Sequence, residues 1–196
     1  MKRLVTALCT ILALSVPALA LASTWAIDPE HSHVGFKVRH LMVSNVKGNF
    51  ETFAGTVTLD DKDITKSKVE VSIDTTSINT NVKKRDDHLR SADFFDVAKY
   101  PAMTFVSKKV ATAGKDKLKV TGDLTLHGVT RQVVLDVDGP SKEAKDPWGN
   151  IRKGATATTT INRKDFGLNW NKALETGGVV VGDEVVITLE IEMIRK

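Results

Sequence analysis

The sequence runs to 196 residues, with 28 Lys and Arg against 24 Asp and Glu, a formal net charge of +4, and one cysteine, Cys9. Basic and acidic residues are interspersed along the whole chain, which argues against a nucleic-acid partner. A lone cysteine excludes a disulfide framework and a Cys-x-x-Cys redox pair.

In chain order, Met1-Lys2-Arg3 comes first, then an apolar run from Leu4 to Val16 and a stretch of small residues. This is the pattern of a secretory signal peptide. Ala-x-Ala sites end at Ala20 and Ala22, and cleavage after Ala22 gives a mature domain over residues 23–196. An apolar run of about 13 residues is too short for roughly 30 Å of hydrocarbon, so no stable membrane anchor is expected. Cys9, Lys2 and Arg3 leave with the signal. The remaining 174 residues carry no thiol, have a near-neutral balance, and suit one domain with its own core.

Beyond the signal the apolar residues alternate with polar ones, which predicts half-buried strands. Val34, Phe36 and Val38 form the first, followed by a segment near 48–60 and by Val69-Glu70-Val71-Ser72-Ile73-Asp74. Residues 79–96 break the alternation. There Asn79 or Thr80 is placed to cap a short helix running through Val82, Arg85 and Leu89 towards Phe94-Phe95, with Asp86 and Arg90 as an i,i+4 pair. Strands resume over 102–110, through Leu118, Val120, Leu124 and Leu126, through Val133, Leu135 and Val137, over 153–161, and from Val185 to Met193. Turn signals stand at Asp60-Asp61-Lys62-Asp63, Ala113-Gly114-Lys115-Asp116, His127-Gly128-Val129-Thr130, Gly139-Pro140 and Gly182-Asp183. About eight strands in a meander predict an all-β, eight-stranded antiparallel barrel with a short helical insert, because closure removes both exposed edges. The interior of such a barrel is either plugged by side chains or wide enough for one small ligand.

Several ordered motifs are similar to those of the YceI-like family. They are Trp25-x-Ile27-Asp28-x-x-His31-Ser32, Phe36-x-Val38-x-His40-Leu41-Met42-Val43-x-x-Val46-x-Gly48-x-Phe50, and Arg85-Asp86-x-His88-Leu89-Arg90-Ser91-x-Asp93-Phe94-Phe95-Asp96. Tyr100-Pro101-x-Met103-x-Phe105, Gly122-x-Leu124-Thr125-Leu126-His127-Gly128-Val129-Thr130 and Asn162-Arg163-x-Asp165-Phe166-Gly167-Leu168 follow. The resemblance implies a lipocalin-like, periplasmic barrel that holds a polyisoprenoid or another long apolar amphiphile, with no cofactor and no catalytic motif. On that reading Val34, Phe36, Val38, Phe50, Phe105, Leu124, Leu126, Phe166, Leu168 and Trp170 are the expected apolar lining. His40, Arg85 and His88 are the expected polar contacts. A homodimer stays open.

The residues themselves leave two other readings. His31 and His33, two apart, would share a face of a regular strand as a metal pair does, which would suit a metal-dependent enzyme acting on a lipid head group; no His-Glu-x-x-His or thiolate accompanies them. His31-Ser32 suggests nucleophilic catalysis, but strand neighbours point to opposite faces, and there is no Gly-x-Ser-x-Gly elbow. A filled barrel acting as an envelope interaction module is the other alternative. His40 shares the parity of Val34, Phe36 and Val38 and so is expected to face inward, while Arg85, His88 and Arg90 beside Lys83 and Lys84 are expected near a barrel mouth.

Overall fold

The computed structural model describes residues 22–175 and 177–196; apart from Ala22, the expected signal peptide lies outside them. Twelve strands form one sheet: β1 Ala22–Ile27, β2 His33–His40, β3 Ser44–Phe50, β4 Phe53–Asp60, β5 Lys68–Asp74, β6 Ile78–Asn79, β7 Ala102–Gly114, β8 Lys117–Leu126, β9 Val129–Asp138, β10 Ala144–Lys145, β11 Ile151–Asn162 and β12 Val181–Arg195. Among the described residues one α-helix, α1 Lys83–Arg90, joins them.

The register shows why twelve segments make an eight-stranded barrel. β1 and β2 lie end to end along β12, and β3 and β4 lie end to end against them, with Val34 opposite Phe50 and Ala26 opposite Thr56. β5 and β6 continue one another in the same way. Each pair is therefore one interrupted stave. The order β1/β2, β3/β4, β5/β6, β7, β8, β9, β11, β12 is an antiparallel meander that closes when β12 returns to β1/β2. The interruptions have local causes. Pro29, which lacks an N–H, follows β1, where the Asp28 carboxylate takes the Glu30 N–H instead. Asp74 caps a 3-10 turn at Thr75–Ser77 through Thr76 N.

The two ends of the barrel differ. At one end the inward residues of β1 and its neighbours form a plug of Trp25, Val57, Leu59 and Met193, with Trp25 wholly buried. Lys153 and Arg195 place cations 5.4 and 4.9 Å from its ring centroid, and its indole N–H donates to Ser23 Oγ. At the other end lie α1, the β2–β3 and β8–β9 turns, and the segment between β11 and β12.

Some expectations change. β1 is a strand not anticipated from the alternation, and Gly182-Asp183 is not a turn but the start of β12, where the pairing with β2 shifts register between Val181 and Val185. Helix α1 is capped by Val82 without a side-chain bond, because Asn79 is spent in β6 and Thr80 is turned inward to Asp86. The expected Asp86–Arg90 pair is replaced by two anchors. Asp86, buried, accepts from Thr80 N and Thr80 Oγ1, while Arg90 donates to the Thr76 and Ile78 carbonyls.

Candidate binding site

The barrel encloses an apolar cavity of about 270 Å³ that runs from the tryptophan plug to the helix. That is roughly twenty times the 10–15 Å³ that a single water needs. Three local choices keep it open. The inward positions of β11 are small, Ala155, Ala157 and Thr159, facing the larger Val185, Ile187, Leu189 and Ile191 of β12. Gly48 lies under the Phe36 ring and Gly122 under the Phe105 ring; a Cβ on either would come within 2.5 or 2.4 Å of the ring carbon Cζ. Both rings therefore lie against the wall instead of projecting across the lumen. At the helix end, Leu89, Phe94 and Phe95 close the space, with Phe95 edge-on to Phe50 at 5.7 Å.

Unfilled apolar volume costs about 24 cal/mol per Å³, so 270 Å³ corresponds to roughly 6 kcal/mol, the scale of a whole domain's net stability. A hydrocarbon chain lodged there would recover about 0.8 kcal/mol per buried methylene. Polar side chains on the lining are few. Ser67 accepts the Asp60 N–H, and Arg163 is spent on carbonyls. The guanidinium of Arg163, almost fully buried, donates through Nε to Gly182 O and through Nη1 to Leu168 O and Trp170 O. Nη2 faces Asp183 at 3.3 Å. Burial pulls its pKa down and Asp183 opposes this. The residue fastens the segment after β11 to the start of β12.

Of the expected lining, Val34, Phe36, Val38, Phe50, Phe105, Leu124, Leu126 and Leu168 do face the cavity. Phe166 is buried in the wall beyond it, and Trp170 lies outside against Phe94 and His88, with centroids 5.1 and 4.9 Å away. His40 is half-buried at the end of β2, opposite Ser44 and Val181; Val38 is the last residue of that strand to reach the lumen. Arg85 donates to Thr80 Oγ1 and Thr80 O, and His88 meets Asp93 Oδ2 at 2.8 Å. Arg85 and His88 are thus committed within their own segment. The small residues of β11 were not anticipated as lining, although the alternation Ala155-Thr156-Ala157-Thr158 signals it.

The histidine of the β1–β2 junction has another role. His31 precedes β2 and is not on a strand, so the shared face with His33 does not form. Its Nδ1 meets Asp28 Oδ2 at 2.8 Å, and the same oxygen accepts from Arg152 Nη1 at 2.6 Å. Arg152 also donates to Asp146 Oδ2 at 2.7 Å and to Glu192 Oε1 at 2.5 Å. Asp28, Glu30 and His31 bring one ligand atom each within 4.8 Å of one another, but a cation there would sit against the Arg152 guanidinium. Ser32 Oγ bonds both Glu192 O and Glu192 N, fixing the junction to β12.

The profile of the YceI-like domain matches residues 25–193. A UPF0312 protein of Vibrio parahaemolyticus is 45% identical over 157 residues, covering 79% of this chain and 82% of that protein. BcnA of Burkholderia cenocepacia superimposes with a TM-score of 0.72 at 26% identity, covering 85% and 98% of the two chains. A polyisoprenoid binding domain from Saccharophagus degradans, implicated in plant cell wall breakdown, shares the fold at 18% identity and a TM-score of 0.62, covering 88% and 98%.

Proposed function

The chain belongs to the YceI-like family, and from that premise we propose that it binds, rather than transforms, a polyisoprenoid or similar long-chain amphiphile, with the hydrocarbon inside the barrel. The observation that carries this reading is the apolar lumen of about 270 Å³, kept open by small residues on β11 and by rings laid flat over glycines. A filled interaction module has no need of such a void. The polyisoprenoid binding domain of Saccharophagus degradans, which shares this fold, is consistent with the same class of ligand.

In this reading the protein is exported with a signal cleaved after Ala22 and works in the periplasm as a carrier or store, with residues 23–196 as the binding domain. The chain is admitted at the helix end, because Trp25 seals the other. His40 stands at the rim of that end.

The test is native mass spectrometry of the mature protein, extracted free of lipid and then offered geranylgeraniol, beside an Ala157→Phe variant. Ala157 lies inward between Val137 and Leu189. The wild type should take up one chain, and the variant, its lumen filled by a ring, should lose at least about tenfold in affinity, the loss expected from two or so methylenes denied burial. Equal uptake by both, or none by the wild type, contradicts the reading.

A further inference from the structure

The wall of the barrel is not equally closed all round. β11 pairs with β12 along its whole length, from Arg152 opposite Ile194 to Asn162 opposite Glu184. Against β9 it keeps three rungs, Thr156–Asp138, Ala157–Val137 and Thr158–Asp136. Towards the helix end, beyond Asp136 and Thr158, no further rung joins the two strands. The gap is bounded at its far end by the β8–β9 turn, where His127 Nδ1 approaches Phe166 O at 3.3 Å.

Arg131 stands on this seam, on the inner face. It is paired with Leu124 across β8 and β9, and directly opposed residues share a face; Leu124 is buried and lines the cavity, as do Val133 and Leu135 on the same side of β9. Yet Arg131 itself is exposed. Its guanidinium makes one long contact, 3.5 Å from Nη1 to Thr130 O, and it forms no salt bridge among the described residues. Lys84 and Lys172 of this end also carry no salt bridge among the described residues but lie on the helix and on the β11–β12 segment, off the seam, and its other cations are occupied or turned away. Arg163, Arg85 and Arg90 donate to backbone carbonyls, Lys83 and Lys164 pair with Asp87 and Asp183, and Lys37, Arg39 and Lys47 alternate to the outer face.

An amphiphile whose tail fills the lumen must leave an anionic head at the rim, since the one cation on the lining, Arg163, is spent on backbone carbonyls. We infer that Arg131, at the seam between β9 and β11, anchors an anionic head group, a phosphate or a carboxylate, of the lodged chain. A guanidinium presents a planar fork that meets two oxygens of such a head at once, and it stays charged throughout the physiological range. The inference rests on the reading that the barrel holds a chain, and adds to it the charge of the head and the residue that selects it.

The experiment is displacement of the neutral dye N-phenyl-1-naphthylamine from the mature protein by pairs of compounds that differ only in the head. Geranylgeranyl phosphate is compared with geranylgeraniol, and hexadecanoate with hexadecanol, so the two pairs distinguish a phosphate from a carboxylate preference. The wild type should favour at least one anion over its alcohol by about tenfold, the factor one charge-assisted contact supplies. In Arg131→Gln that ratio should fall towards one, through loss on the anion side, and Arg131→Lys should keep part of it. Lys115→Gln, at the opposite end, should retain the wild-type ratio. An unchanged ratio in Arg131→Gln, or a wild type that takes alcohol and anion alike, overturns the inference while leaving the holding function intact. Failure of all four compounds to displace the dye overturns the holding function, and the inference with it.

Discussion

At the scale of single residues, the polar chemistry of this molecule concentrates where the barrel must be held shut. Arg152 ties Asp28 of the β1–β2 junction, Asp146 of the turn before β11 and Glu192 of β12 into one cluster. Its proximity holds the Asp146 carboxyl far below the ordinary range. Burial pushes Asp28 up, but hydrogen bonds from Arg152 and His31 outweigh it and keep that carboxyl low as well. His31 is raised above its ordinary 6.5 chiefly by its bond to Asp28. The signs follow from linkage. The raised histidine stabilises the fold in full below about pH 6.5, and that stabilisation is lost as pH rises through the folded value. The lowered Asp28 stabilises it above about pH 3.8, and that is lost as pH falls through its folded value. The pair is therefore most stabilising between these limits. The urea midpoint of the wild type should exceed that of His31→Gln at about pH 5.5, and the gap should close by about pH 8.5. A gap equal at both values would refute the coupling. Little of this was legible in the sequence. His31 and His33 read as a possible metal pair because strand parity was extended past the start of β2; the partner that gives His31 its role, Asp28, and the arginine that completes the cluster come together only when β1, β11 and β12 are adjacent.

At the scale of elements, alternation located most staves, since period two is dictated by one face turned to the lumen and the other to water. It lost the interruptions, because Pro29 and the Thr75–Ser77 turn break β1/β2 and β5/β6 while each half stays against the same neighbouring stave, β12 for the first and β3/β4 for the second. The helix was visible as a break in the pattern, and its docking was not. Local rules favour an Asp86–Arg90 pair on the helix surface, whereas burial of Asp86 against Thr80 satisfies two donors at once and frees Arg90 to reach the Thr76 and Ile78 carbonyls. Asp86→Ala strands the Thr80 N–H in the interior, and should lower unfolding stability by about 1–3 kcal/mol in urea titration. Faster hydrogen exchange should accompany it across Lys83–Arg90, with the β7–β8 ladder little altered. A variant as stable as the wild type would show that the helix is held by its apolar residues alone.

At the scale of the whole molecule, one end is plugged, one end is covered by a helix, and the space between is lined almost wholly by apolar side chains. The barrel itself follows from the strand pattern, since a meander of eight half-buried strands has two edges to lose. Whether it is hollow does not follow, because hollowness depends on the sum of inward volumes around the ring, including Ala155, Ala157 and Thr159 on β11, and on rings that lie flat over Gly48 and Gly122. The most direct test is an isotope-filtered nuclear Overhauser measurement on the methyl-labelled protein with unlabelled geranylgeraniol. The expected result is a set of contacts from the prenyl methyls to the methyls of Val120, Leu124, Ile187 and Leu189, all of which line the lumen. Contacts confined to exposed residues such as Val43 and Val134, with none to those four, would contradict the account.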